Sequence, residues 1–239
     1  MWLDVVDLKN FYNSVLGKNA QKLVAQSIRM VWPNVNTQSV LGLGYAIPFL
    51  DIFQKEAERT IAVMPARQGI LHWPEKKMGR ITLCDEGRIP LPDSYFDKIL
   101  LVHAFECSEK LRLMLREVWR VLGEGGRLMV VVPNRMGIWT RMDHTPFGHG
   151  NPYSPAQVKR LLRETLFTPT RIERALFMPP MSHGLMMASA PAMEKIGKGL
   201  FPSLGGVLII ECKKQIHAPT ISKEHSRSRR PHYKILTPN

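Results

Sequence analysis

Cysteine is scarce in this chain: Cys84, Cys107 and Cys212 are the only three in 239 residues, and no two form a CxxC pair. That leaves out a disulfide framework and a thiolate metal knuckle. It points to buried, reduced thiols inside apolar elements, which suits a cytoplasmic protein. No apolar run approaches the roughly 20 residues of a membrane-spanning helix, so a soluble protein is expected. The first ten residues, MWLDVVDLKN, carry two aspartates and no basic flank before an apolar core, so they do not read as a secretory signal. Negative charge is also short, with 20 acidic against 33 basic residues and a net charge of +13. A basic surplus raises the question of nucleic acid, yet no basic strand is interleaved with base-stacking aromatics. Part of the surplus lies beyond residue 216, where Lys223, Arg227, Arg229, Arg230 and Lys234 face a single Glu224. The stretch HSRSRRPHYK is polar, proline-interrupted and aperiodic. It reads as a disordered tail for solubility or weak anion contacts, with nucleic-acid binding as the sharper and less favoured alternative.

What is present is clearest from Leu91 to Asn134. Lys98 to Val102 is a short apolar run without polar alternation, as expected of a strand covered on both faces. Ser108 is placed to cap a helix carrying Leu111, Met114, Leu115, Val118 and Leu122 on one face, with Gly125 and Gly126 stopping it. Arg127 to Val132 is a second apolar strand ending at Pro133. The set is one βαβ unit of a parallel sheet, and ligands of such sheets bind at the carboxyl ends of strands. Those ends are His103 to Glu106 and Pro133 to Arg135.

Within this unit, Asp85, Leu91-Pro92-Asp93 and Phe96-Asp97 are followed by Leu115-Arg116-Glu117, Arg120-Val121-Leu122 and Gly125-Gly126. In this order and spacing the stretch from about Val40 to Asn134 resembles the class I S-adenosylmethionine-dependent methyltransferases, in the group labelled type 11. The resemblance implies an α/β, Rossmann-like fold with a mostly parallel seven-stranded sheet flanked by helices. It also implies S-adenosylmethionine as cofactor and in-line methyl transfer. It assigns cofactor contacts to Tyr12, Gly42, Gly44, Tyr45, Ala46, Met64, Asp85, Glu86 and His103.

The upstream strands depart from that family pattern. Ser39 to Leu43 reads as the first strand, with Gly44 to Gln54 turning into a helix. In the family this segment carries an acidic residue and three glycines, which let the backbone approach the methionine part of the cofactor. Here the acidic position is Gly42, the glycines fall at Gly44, Ala46 and Pro48, and Pro48 suits a first helical turn. Thr60 to Met64 is the second strand, and Met64 stands where the family places the carboxylate for the ribose hydroxyls. Gln68 is the nearest residue able to bond a hydroxyl, while Arg67 favours an anion; a plain loop explains both equally well. Ile70 to Pro74 is read as leading into another short element. Arg80 to Cys84 is the third strand. Asp85 at its end is the family's acceptor for the adenine amino group, with the Glu86 amide on the ring nitrogen; a simple turn former is the competing reading.

Leu8 to Trp32 shows helical spacing interrupted at Gly17 and ended by Pro33. In the resembled family such a leading helix packs beside the cofactor cleft, which brings Lys9 and Tyr12 within reach of a ligand carboxylate, against a plain packing role. After Asn134 a long loop holds Trp139, Arg141, Asp143, His144, His149 and Tyr153, and a substrate-binding role suits its length. Ser154 to Gln157 then opens a helix by a capping box, with Val158, Leu161, Leu162 and Leu166 as its buried face. His144 and His149 lack a third partner, so no metal is expected. With His103 they are the candidate catalytic bases, against structural histidines as the alternative, and Glu106 is placed to orient His103. Arg171 to Phe177 and Val207 to Cys212 are the last strands. Between them, Pro179 to Gly206 is a Met-, Pro- and Gly-rich insertion with a helix over Ala192 to Leu200. Met178, Met181, Met186, Met187 and Met193 give it a soft apolar character for a pocket, a dimer contact or core packing.

The resulting organisation is one domain over residues 1–216, with a helical cap at 1–33, the insertion at 179–206 and the tail at 217–239. The acceptor is expected to be a small molecule, with RNA or protein behind it, no membrane partner, and no oligomeric state assigned. A catalytically degenerate binding or scaffold protein is the alternative from another class, motivated by Gly42 and Met64. A nicotinamide oxidoreductase is disfavoured, because Gly42-Leu43-Gly44 is not followed by a glycine at 47.

Overall fold

The structure is a computed structural model and describes residues 2–74, 78–180 and 189–216. The basic tail, and Met181, Met186 and Met187 of the insertion, lie outside the described residues. Seven strands form one sheet: β1 (Ser39–Gly44), β2 (Arg59–Pro65), β3 (Ile81–Cys84), β4 (Phe96–Val102), β5 (Leu122–Pro133), β6 (Phe167–Ala175) and β7 (Val207–Lys214). Their order is β3-β2-β1-β4-β5-β7-β6. The first five run parallel, and β7 is antiparallel to both β5 and β6. The order in which strands are added to the sheet reverses between β1 and β4, so the carboxyl ends of these parallel neighbours form the crest at which a ligand is expected.

The apolar runs without alternation have the cause expected of them. In β4, Leu100 and Val102 join a core with the helices α1 (Val5–Asn13), α2 (Val15–Val31) and α3 (Ile47–Leu50). Ile99 and Leu101 join the opposite core with α4 (Leu111–Val121) and α5 (Pro155–Glu164). Successive side chains of a strand point to opposite faces, so burial of both faces demands a continuous hydrophobic run. A sixth helix, α6 (Ala190–Leu200), precedes β7.

Several boundaries differ from expectation for local reasons. Ser108 does not cap α4: its hydroxyl donates to Glu86 Oε2 at 2.6 Å, and the helix begins three residues later, behind Lys110. Leu122 belongs to β5, so α4 ends at Val121 and Gly125 and Gly126 lie within the long strand rather than stopping the helix. Gly17 does not divide the leading helix. The break is at Ser14, whose extended backbone and hydroxyl cap α2 through the Gly17 amide. Gly17 instead permits the tight crossing of α1 and α2, since a Cβ there would lie 1.9 Å from the Phe11 carbonyl oxygen. The helix after β1 is a single turn, and residues 70–74 form no regular element. The capping box of α5 is complete, with Ser154 Oγ accepting from the Gln157 amide and Gln157 Oε1 from the Ser154 amide. Leu166, expected on the buried face of α5, is 44% exposed and turns the chain at φ 63°. The three cysteines are buried.

The segments carrying the family-like wording prove to be fasteners. Arg120 donates to the carbonyls of Ile89 and Leu91 at 2.7 and 2.9 Å, to Asp93 and to Glu117, while Glu117 accepts from the Ile89 amide at 2.9 Å. Glu117 is held below the usual carboxylate range chiefly by the Arg120 hydrogen bond. Asp97 accepts from both the amide and hydroxyl of Ser39. These contacts clamp the β3–β4 connection to α4 and start β1 beside β4.

Candidate functional site

The crest combines a glycine turn, a strand-end acid and a buried polar chain. Gly44 closes β1 with φ 80°, and a Cβ there would lie 2.4 Å from the Val102 carbonyl oxygen and 2.7 Å from Ala104 Cβ. Only glycine permits so close an approach of β1 to the end of β4. Asp85 ends β3 and accepts from the Gly87 amide at 2.8 Å, so it shapes its own turn as well as closing the strand. Glu86 is tied to Ser108 and to the Lys110 amide.

At the end of β4, His103 has a left-handed backbone (φ 50°) and is 1% exposed. Its Nδ1 lies 3.1 Å from Glu106 Oε1, its Nε2 lies 2.7 Å from the Tyr12 hydroxyl, and its carbonyl accepts from Gln68 Nε2 at 3.2 Å. With Nδ1–H directed at the carboxylate, Nε2 is left as the acceptor for the phenol. Burial, then Tyr45, then Glu106 push the Tyr12 hydroxyl well above its ordinary value, so the phenol stays neutral. Two acceptors flank this chain unpartnered although buried: Glu106 Oε2 and Gln68 Oε1. Buried acceptors short of a donor are costly and mark sites that await one.

The other expected residues fall unevenly. Tyr45 stacks on Tyr12, with ring centroids 5.7 Å apart. Gly42 leaves no room for a longer side chain, because a Cβ would lie 2.7 Å from both Ala46 and Leu50. Met64 is fully buried and joins the core. Arg67 pairs with Glu109. Lys9, Tyr12 and Asp51 line a cavity of about 410 Å³ beside α3. His144 and His149 do not join His103. Their Nε2 atoms meet the carbonyls of Pro180 and Asp143 at 3.4 and 2.7 Å, and among the described residues no group of three potential ligands can hold a metal. They line a second cavity of about 400 Å³ with Asp4, Asp7, Phe11 and Asp143.

Two aromatic residues at the crest were not foreseen. Phe147 sets its ring 5.1 Å from that of His103, and Trp2 lines a gap of only about 50 Å³ with Pro65, Ala66, Arg67, Cys84 and Asp85. Phe147 stood among turn residues and Trp2 ahead of any periodic segment, so neither carried a pattern.

Residues 40–130 match the family described as methyltransferase domain. Over that stretch the chain is similar to methyltransferase domains. Its fold is shared with an S-adenosylmethionine-dependent methyltransferase from Thermotoga maritima, at 16% identity and TM-score 0.62 over 88% of this chain and 96% of the other. A second, from Archaeoglobus fulgidus, has 19% identity and TM-score 0.56 over 86% and 97%. A third, the 1,6-didemethyltoxoflavin-N1-methyltransferase of Burkholderia thailandensis with bound S-adenosylhomocysteine, has 16% identity and TM-score 0.54 over 82% and 79%. No curated protein matches the chain by sequence. S-adenosylmethionine is the cofactor that the similarity implies, and the crest fits that ligand in chemistry: a glycine approach at Gly44, an acid at Asp85, and orphaned acceptors on Gln68 and Glu106 for its hydroxyl and ammonium donors. Residues between Trp2 and Tyr12 lie against these groups: Trp2 beside Asp85, Val5 on Gln68 and Tyr12 on His103.

Proposed function

We propose that the methyltransferase acts on a small molecule and that His103 receives the acceptor's proton. Bound S-adenosylmethionine supplies a methyl group already activated on a sulfonium, so the protein's work is alignment, exclusion of water and, for a weakly acidic acceptor, removal of a proton. In this reading the Gly44 backbone, Asp85 and the Glu86 amide hold the cofactor, while Gln68 stands in for the ribose carboxylate missing at Met64. Tyr12, Tyr45 and Ala46 border the same space, with Gly42 behind them. The observation that carries the proposal is the buried Glu106–His103 pair at the end of β4. Glu106 fixes the tautomer that leaves Nε2 able to accept a proton, and it would pair with the imidazolium formed. His144 and His149, whose Nε2 atoms meet backbone carbonyls, instead shape the 400 Å³ cavity against α1. A cavity of that size suits a small molecule better than a polymer.

Methyl-labelled S-adenosylmethionine incubated with the protein and separated small-molecule, RNA and protein fractions of a cell extract tests this. Label is expected in the small-molecule fraction, and His103→Asn is expected to lower transfer at least a hundredfold. Label confined to RNA or protein would overturn the acceptor class, and unchanged transfer by His103→Asn the role of the base.

A further inference from the structure

The segment from Trp2 to Tyr12 lies along the whole crest. Trp2 is 8% exposed and sits against the Asp85 end of β3. The Leu3 amide hydrogen-bonds the Cys107 thiol beyond the end of β4. The Val5 amide donates to the Gln68 carbonyl at 2.8 Å, and the Val5 side chain lies 3.0 Å from where a Cβ on Gly69 would stand. Tyr12 then reaches His103 and stacks on Tyr45 behind β1. Every strand end from β1 to β4 is therefore covered by this one stretch. The gap left beside Asp85, about 50 Å³, is far below the roughly 300 Å³ from which small-molecule sites begin.

We infer that Trp2–Tyr12 is an intramolecular strap that occupies the cofactor cleft and must leave it for S-adenosylmethionine to bind. In the covered state an indole stands against Asp85, where a purine would lie, and the Tyr12 hydroxyl latches His103. The inference rests on the cofactor reading of the crest. The joint for the movement is Ser14: its backbone is extended between α1 and α2, and its hydroxyl accepts from the Gly17 amide of α2 at 3.0 Å while donating to the Phe11 carbonyl of α1 at 2.6 Å. Cofactor entry and release of His103 Nε2 then become one event, so the base is freed only when the methyl donor is seated. Apparent affinity equals intrinsic affinity multiplied by the fraction of molecules whose strap is open.

The sign of this effect separates a strap from a binding contact. Calorimetry with S-adenosylhomocysteine is expected to show about fivefold or greater tightening in Tyr12→Phe and in Trp2→Ala, because each loosens the strap. In Leu3→Cys, oxidised to a disulfide with Cys107 and verified by mass spectrometry, affinity is expected to fall at least tenfold and return on reduction. Weaker binding by Tyr12→Phe and Trp2→Ala, or equal affinity of the locked and reduced forms, would overturn the strap while leaving the cofactor site standing. An absence of heat at millimolar ligand in wild type and loosened variants alike would overturn instead the cofactor reading on which the strap depends.

Discussion

The ends of β1 and β2 and the end of β4 share one crest but carry opposite chemistry. Behind β1 and β2 stand Gly42, Gly44, Met64 and Pro65, without a carboxylate among them, and Gly42 and Met64 are packed against the core. At β4 the chain buries an imidazole, a carboxylate with a free oxygen and, from α1, a phenol. The strand residues of the first region can recognise a ligand only by backbone shape, with Gln68 beyond β2 as the nearest side-chain acceptor, and the second region by charge and proton exchange. Glycine at the close approach is therefore indispensable to the first, while the polar groups of the second are held at a cost to stability.

The largest effect should come from the shape-dependent side. Gly44→Val places a β-branched side chain at φ 80° and drives its Cβ into the Val102 carbonyl. Backbone strain of about 1–3 kcal/mol plus the clash should remove more than about 3 kcal/mol of stability. Urea denaturation would show it, and S-adenosylhomocysteine binding should disappear. A variant as stable as wild type would mean that β1 and β4 can part at this point, and that the crest is softer than its packing implies.

Asp85 lies at the margin of the two regions, with a turn role and a proposed ligand role. Asp85→Ala is expected to weaken S-adenosylhomocysteine about tenfold, equivalent to about 1.4 kcal/mol, while lowering stability by about 1 kcal/mol through the lost Gly87 contact. Loss of stability without loss of affinity would reduce Asp85 to a turn former.

Glu106 tests the cost paid on the polar side. Its Oε2 is buried without a donor, so Glu106→Gln, which keeps the shape and removes the charge, should stabilise the fold by about 1 kcal/mol. That corresponds to a rise in Tm of about 2–4 °C for a domain of this size, with methyl transfer reduced. A fall in Tm would show that the carboxylate earns its place structurally, through His103.

How far the sequence was legible follows the same division. The βαβ unit from Leu91 to Asn134 was readable because strands buried on both faces require unbroken apolar runs, and α4 carries its buried face at helical spacing. The motif residues around Asp93, Glu117 and Arg120 carried the family resemblance, yet in the structure they clamp a loop to a helix. His103 and Glu106 were legible by position, since strand ends in such sheets face the ligand. The Tyr12–His103 contact was not, because it joins residues 91 positions apart through an approach angle set by the α1–α2 crossing at Gly17. Trp2 gave no signal at all: a single aromatic outside any period fixes no partner. Ser108 misled because a serine before a helix reads as a cap, whereas here a nearer carboxylate, Glu86, claims its hydroxyl.

The smallest effect concerns the tyrosines that seal the crest. Burial raises Tyr45 from its ordinary value to about 12 and pushes Tyr12 up as well, and burial raises the Cys84 thiol to about 12. In the unfolded chain these groups ionise near pH 10 for tyrosine and 8.5 for cysteine. Between those values and the raised ones the folded state holds protons that the unfolded state has lost. Their contribution is thus intact below the ordinary values and declines as pH rises toward the raised ones. Lys98 and Lys214, lowered chiefly by burial, oppose this trend by favouring the fold as pH approaches the ordinary lysine value. The tyrosine part is isolated by difference: the stability gap between wild type and Tyr45→Phe, measured by urea denaturation at pH 8 and pH 11, should shift in favour of the variant at the higher pH. A gap independent of pH would mean that Tyr45 ionises alike in the folded and unfolded chain, as it would if the strap left the crest open to water.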